Sequence, residues 1–194
     1  MVHRIEVGLK REPGLAAKIR RILGLCVTDA HSISVYAIDA DLSSQELAKL
    51  ADAYSDRIVE RPAIDVPWVE KNGFAFDVLI ERRFRPGVTD AVGKTATEVA
   101  EAVLGRSLGD GPVVYSATQF LFSGLSQKDA DAIGPAILGN PLIEEFLVLD
   151  KHVFAAGKRI PVHVPKVTDP HRPQIQAIDL TKYDETQLSV LNQS

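Results

Sequence analysis

Few residue types with chemical potential stand at useful spacings in this chain. His3, His31, His152, His163 and His171 are scattered, and no two have the cysteine or carboxylate company of a zinc site. Asp39 and Asp41 flank Ala40 in a strand-to-helix turn, where aspartates ordinarily satisfy backbone amides and only secondarily invite a divalent cation. Glu144-Glu145 lies in a strand, so its two carboxylates point to opposite faces and cannot work as a pair. Ser107, Ser123 and Ser126 have no histidine placed beside them by any readable motif. The glycine-rich stretch Gly105-Arg-Ser-Leu-Gly109-Asp-Gly111 follows a helical pattern instead of preceding one, so it reads as a turn and not as a phosphate loop. The single cysteine, Cys26, sits in Leu25-Cys26-Val27 and is expected to be a small buried hydrophobe. No catalytic, metal-binding or cofactor-binding residue is assigned to this chain.

The elements that position these residues occur twice. Pro13-Gly14 and Pro86-Gly87 each follow an alternating apolar run and introduce a helical pattern. Leu42-Ser43 and Leu125-Ser126 each open a second helix, and Ile64-Asp65 and Leu149-Asp150 each close an apolar run. In the first copy, Ile5, Val7 and Leu9 alternate with Arg4, Glu6 and Lys10, the pattern of a half-buried strand with a polar outer side. Leu15, Ile19, Ile22 and Leu23 then predict a helix ended by Gly24. Ile33 to Ile38 predicts a second strand, with an early part bent into a hairpin from Val27. Ser43 with Glu46 is a capping box opening a helix with Leu47, Leu50 and Ala51 inward, and Arg57 to Ile64 returns as a strand. In the second copy, Phe74, Phe76, Val78 and Ile80 alternate through a strand to about Arg83. Asp90 caps a helix whose apolar positions are Val92, Ala96, Val99, Ala100 and Val103, ended by Gly105. Val113 to Tyr115 and Thr118 to Phe122 predict two short strands or one bent strand, Ser126 with Asp129 opens a last helix running toward Leu138, and Ile143 to Leu149 is the closing strand.

The expected fold is α+β: two tandem β-α-β-α-β repeats related by a pseudo-two-fold, with mainly antiparallel sheets, helices on one face, and the sheets of the halves buried against each other. Residues 1–65 form the first repeat, 66–73 a short linker and 74–150 the second repeat. Trp68 is expected to plug the junction. Residues 151–194 form an extended Pro-rich tail, with Pro161, Pro165, Pro170 and Pro173 among Val162, Val164 and Val167. An amphipathic helix starts near Tyr183 and leaves Leu188 and Leu191 unused. That unused face is the sign of a piece of a longer polypeptide or of a docking subunit. Val162, Val164, Val167, Tyr183, Leu188 and Leu191 are the expected partner interface.

At 194 residues, with 45% apolar and 25% charged residues, the chain has the composition of a globular protein with a real core. Its net charge of -4 argues against nucleic-acid binding, and Lys10-Arg11, Arg20-Arg21 and Arg82-Arg83 are short pairs and not a basic tract. One cysteine excludes an internal disulfide, and neither a signal-peptide pattern nor a membrane-spanning run is present, so no membrane partner and a cytoplasmic location are expected.

The segment Arg85-Pro-Gly-Val-Thr-Asp-Ala-Val-Gly-Lys-Thr-Ala96, between a strand and a helix, resembles the signature of the small accessory subunit of bacterial phosphoribosylformylglycinamidine synthase. Lys10-Arg-Glu-Pro-Gly-Leu15 is similar to a shortened version that lacks the Asp and Gly-Lys elements. Ile143-Glu-Glu-Phe-Leu-Val-Leu-Asp150 resembles that subunit's closing strand. Ile178-Asp-Leu-Thr-Lys-Tyr-Asp-Glu-Thr-Gln-Leu188 resembles the opening of the linker that leads to the synthetase domain in single-chain synthases.

The resemblance implies a fused pair of accessory halves over about residues 1–150. It implies a noncatalytic scaffold in de novo purine biosynthesis that holds synthetase and glutaminase parts together for ammonia transfer. ATP and Mg would belong to the synthetase domain and the nucleophilic cysteine to the glutaminase domain, which leaves no cofactor to this chain. A homodimer through spare sheet edges is compatible with this reading. Two other classes stay open: a metabolite-binding regulatory module with a pocket between the repeats, and a standalone enzyme in which Asp39, Asp41 and Arg83 converge.

Overall fold

In the computed structural model, which describes residues 1–56, 58–162 and 164–165, six antiparallel strands form one open sheet in the order β3-β1-β2-β5-β4-β6. The strands are β1 (Val2–Arg11), β2 (Asp29–Asp39), β3 (Ala63–Ile64), β4 (Val78–Phe84), β5 (Val114–Ser123) and β6 (Glu144–Asp150). The helices are α1 (Pro13–Leu23), α2 (Ser44–Ala53), α3 (Trp68–Lys71), α4 (Ala91–Leu104), α5 (Gln127–Ile133) and α6 (Lys151–Ala155). Where two packed sheets were expected there is one, because β2 and β5 pair along their whole length, from Asp29–Ser123 to Ile38–Val114. That pairing also keeps both middle strands unsplit. Among the described residues no helix is long and apolar enough to cross a membrane.

Most of the punctuation read from the sequence is in place. Gly24 and Gly105 end α1 and α4 in the left-handed conformation, at φ +67° and +65°, which costs glycine little. Ser43 and Glu46 form the reciprocal capping box of α2, and Ser126 accepts from the Asp129 amide to start α5. Asp90 caps α4 through the Gly93 amide at 2.7 Å. It also binds Ser116 on β5, accepting from the amide at 2.5 Å and the hydroxyl at 2.8 Å. α1, by contrast, has no side-chain cap. After Ile133, α5 widens into a π-type turn over Gly134–Leu138, where a Cβ on Gly134 would meet the Phe146 ring.

Both apolar clusters on the helix side lie on one face of the sheet, since paired residues share a face. One cluster joins Ala16 and Ile19 of α1 with Ala130, Ile133 and Leu138, over Ala30, Val78, Ile80, Phe120 and Phe122. The other joins Leu47 and Leu50 of α2 with Ala96 and Ala100 of α4, over Ile5, Val7, Ile38 and Val114. Tyr54 links the helices by donating to the Ala96 carbonyl at 2.8 Å, and burial pushes its phenol pKa up.

Some expectations need correction. Ile22, Val92 and Val103 are exposed, while Ala16 on α1 and Gly93 and Thr97 on α4 face inward beside the expected Ala96 and Ala100. α4 lies so close to β5 that a Cβ on Gly93 would stand 2.5 Å from the Val114 carbonyl, so small residues take the inner stripe. The third strand shrinks to Ala63–Ile64, and β4 starts at Val78, after Phe74 and Phe76. Cys26 is exposed, in the loop between α1 and β2. Residue 151 opens a short helix capped by Asp150 where an extended tail was expected.

Candidate functional site

The face of the sheet opposite α1, α2, α4 and α5 carries a buried polar network. Because β1, β4 and β5 alternate, residues two apart share this face: Arg4 and Glu6 on β1, Glu81 and Arg83 on β4, and Gln119 on β5. Arg4 donates through Nε to Glu6 at 2.7 Å and through Nη2 to Glu81 at 2.5 Å. Gln119 Nε2 donates to Glu81 at 3.1 Å and to Glu6 at 3.4 Å. Arg83 donates to Glu145 of β6 at 2.5 Å and stands 3.9 Å from Glu81. Val35 and Ala37 of β2 and Ala117 of β5 are small enough to let Arg4 reach Glu81 across two intervening strands.

Burial acts to lower the Arg4 pKa, but the adjacent carboxylates of Glu81 and Glu6 outweigh it and hold the guanidinium above its usual range. One buried atom is left over: Gln119 Oε1 has no hydrogen-bond partner among the described residues.

Residues 68–76 and 154–160 roof this face. Trp68 is buried with Val69, Phe76, Ile33, Leu79 and Leu121. Its backbone amide donates to Glu6 at 2.5 Å and its indole to the Arg61 carbonyl at 2.6 Å. Arg159 lies 4.0 Å from the Phe154 ring centroid and binds Glu70 at 2.8 Å. Between roof and sheet is a cavity of about 410 Å³ whose lining includes Arg4, Glu6, Leu79, Gln119, Leu149, Phe154 and Ile160.

Of the sequence-selected residues, Arg83 joins the network and His3 and Val162 line the cavity, while Asp39 and Asp41 do not join them. Asp39 ends β2, and Asp41 follows it in the turn, where its carbonyl accepts from Arg106. His3 binds Asp65 at 2.8 Å, and His31 packs edge-on against Phe74. The Ser107 and Ser126 hydroxyls bind Glu101 and Asp129. Glu144 and Glu145 do face opposite sides, pairing with Arg82 and Arg83 respectively. Among the described residues no group of three or more His, Cys, Asp or Glu could hold a metal ion. Of the expected interface, Val162 is exposed and Val164 partly so, while Val167, Tyr183, Leu188 and Leu191 lie outside the described residues.

The network itself escaped the sequence reading, which put Arg4 and Glu6 on an outer polar side. The available signal was opposite charges two apart on two different strands, Arg4-x-Glu6 and Glu81-x-Arg83. No family model matches this chain, and no curated protein matches it.

The motif residues of the second Pro-Gly loop have structural work of their own. Gly87 turns the chain at φ +85°, Asp90 joins α4 to β5, and Gly93 permits their close approach.

Proposed function

We propose that the chain is a noncatalytic assembly domain of phosphoribosylformylglycinamidine synthase. In this role it organises synthetase and glutaminase parts for ammonia transfer during ATP- and glutamine-dependent amidation of formylglycinamide ribonucleotide. The supporting observation is the strand order. Read from either edge inward, it runs third, first, second: β3-β1-β2 from one side and β6-β4-β5 from the other. Two fused copies of one β-α-β-α-β unit, related by a pseudo-two-fold between β2 and β5, account for that order. A body whose charged residues bind each other across the seam is suited to hold partners at a fixed distance. The segment from Val162 to Leu191 is the proposed contact with them.

The test is a pull-down with separately produced synthetase and glutaminase chains. Retention of both, lost in the Val162→Asp/Val164→Asp double variant, is expected. Retention of neither overturns the reading. The cavity between β1, β4, β5 and the 154–162 segment supports a second reading, a metabolite-binding regulatory module with its pocket between the two repeats.

A further inference from the structure

We propose that this cavity binds a small anionic amphiphile, an apolar body bearing one carboxylate, with the carboxylate on Arg159 at the mouth and the body inside. The inference rests on the pocket reading and gives that pocket a ligand class. Leu79 and Leu149, 2 and 5% exposed, lie deepest in the lining, and the partly buried Phe154 and Ile160 stand above them. The rim is apolar as well: Val2, Val66 and Val162 are 38, 47 and 41% exposed, and all three line the opening. Exposed apolar side chains gathered around one concavity mark a place where apolar surface is taken out of water. The volume of about 410 Å³ is within the range of small-molecule sites.

The charges of the lining choose the head group. Arg159 stacks on the Phe154 ring, 4.0 Å from its centroid, and its Nη1 donates to the carbonyls of Phe154 and Lys158, so the guanidinium is held in place. Its Nη2 donates to Glu70, which leaves a second Nη2 hydrogen and the Nε hydrogen without an acceptor among the described residues. The Arg159 side chain is 36% exposed and that of Glu70 is 55% exposed, so their pair is weak and the guanidinium is open to a second carboxylate. Met1, 86% exposed, brings to the lining an ammonium with no ion-pair partner among the described residues. The carboxylates of the lining are already engaged. Glu6, 1% exposed, accepts from Arg4, Gln119 and the Trp68 amide, and Asp65 binds His3 and the Arg4 amide. The free capacity at the mouth is therefore cationic, and a planar guanidinium suits the two oxygens of a carboxylate.

Octanoate, 1-octanol and octylammonium share a chain length and differ in the charge of the head, so the three isolate it. Each is titrated into the full chain, below its micellar range, while backbone amide shifts are followed by NMR. Octanoate is expected to shift the amides around Val66, Leu149, Phe154 and Ile160. It should bind at least about tenfold more tightly than 1-octanol, the worth of one hydrogen bond to a charged group, with octylammonium the weakest. Arg159→Gln is expected to bring octanoate down to the affinity of 1-octanol, and Ile160→Trp, which narrows the cavity, to weaken all three. A preference for octanoate that survives in Arg159→Gln, equal affinities of octanoate and 1-octanol, or tightest binding by octylammonium overturns the head-group assignment and leaves the pocket reading standing. Binding of none of the three, or shifts confined to other residues, overturns both. Should either variant fail to fold, the ranking of the three probes on the unsubstituted chain still decides.

Discussion

On the face covered by helices, the strands bury Ile5, Ile38, Ile80 and Phe122 against Ile19, Leu50, Ala100 and Ile133. On the opposite face the same strands bury Glu6, Glu81 and Gln119, with the Arg4 side chain 11% exposed, beneath Trp68, Phe74, Phe76 and Phe154. The helix face is covered by apolar packing, whereas the opposite face combines an apolar cluster around Trp68 with the polar network and a cavity of about 410 Å³. The helix side gains from apolar area removed from water, in proportion to that area and with little directional demand. The polar network itself gains little net energy, since desolvating charges offsets much of their attraction, but its geometry is directional. Arg4 on β1 reaches Glu81 on β4, so the network is a side-chain tie across the β2–β5 seam. Apolar packing supplies burial on both faces, and the network adds a tie between β1 and β4 across the β2–β5 pairing.

Neighbouring residues on opposite faces test this division most severely. Glu81→Ala leaves Arg4 buried with half its pairing, and is expected to cost about 3–5 kcal/mol in urea unfolding. Ile80→Ala, one residue away, is expected to cost about 2–5 kcal/mol through lost burial and a cavity. A Glu81→Ala cost below about 1 kcal/mol would mean that the network is wetted, and the comparison would break. A double-mutant cycle of Arg4→Met with Glu81→Leu sharpens it, with a coupling of about 1–3 kcal/mol expected.

A smaller effect distinguishes the two Pro-Gly loops. Asp90→Ala removes the α4 cap and the bonds to Ser116, and is expected to cost about 1–2 kcal/mol by thermal unfolding. Glu12→Ala, at the uncapped start of α1, should stay within about 0.5 kcal/mol.

The smallest effect is electrostatic. The Ser43 amide, and then Arg106 and the Ser43 hydroxyl, hold the Glu46 carboxyl down at about 2, from an ordinary 4.5. A depressed carboxylate pKa stabilises the fold above the unfolded value, and that contribution is lost as pH falls from 4.5 through about 2. Melting temperatures of the unsubstituted chain should therefore fall more steeply over this window than those of Glu46→Gln.

Capping was legible in the sequence because it is local: Ser43, Asp90, Ser126, Gly24 and Gly105 act within a few residues of where they stand. Strand extent was less so. The length of β2 and β5 comes from their mutual pairing, and the shortness of β3 from its having only Ile5 and Glu6 as partners, neither of which is a local property. The inner stripe of α4 was misread toward its valines because the controlling fact, the close approach to Val114, belongs to tertiary packing. The charge spacing of the polar network was visible, but its burial was not, because alternation separates two faces of a strand without saying which are covered. Arg4 and Glu6 look the same under water as under Trp68.

The central claim, that this chain couples a glutaminase to a synthetase, is tested most directly by adding it to the two separated parts and following glutamine-dependent ATP hydrolysis with formylglycinamide ribonucleotide present. The account predicts that hydrolysis driven by glutamine rises when the chain is added, while hydrolysis driven by free ammonium stays unchanged. An unchanged glutamine-dependent rate, with the added chain folded and in excess, would contradict it.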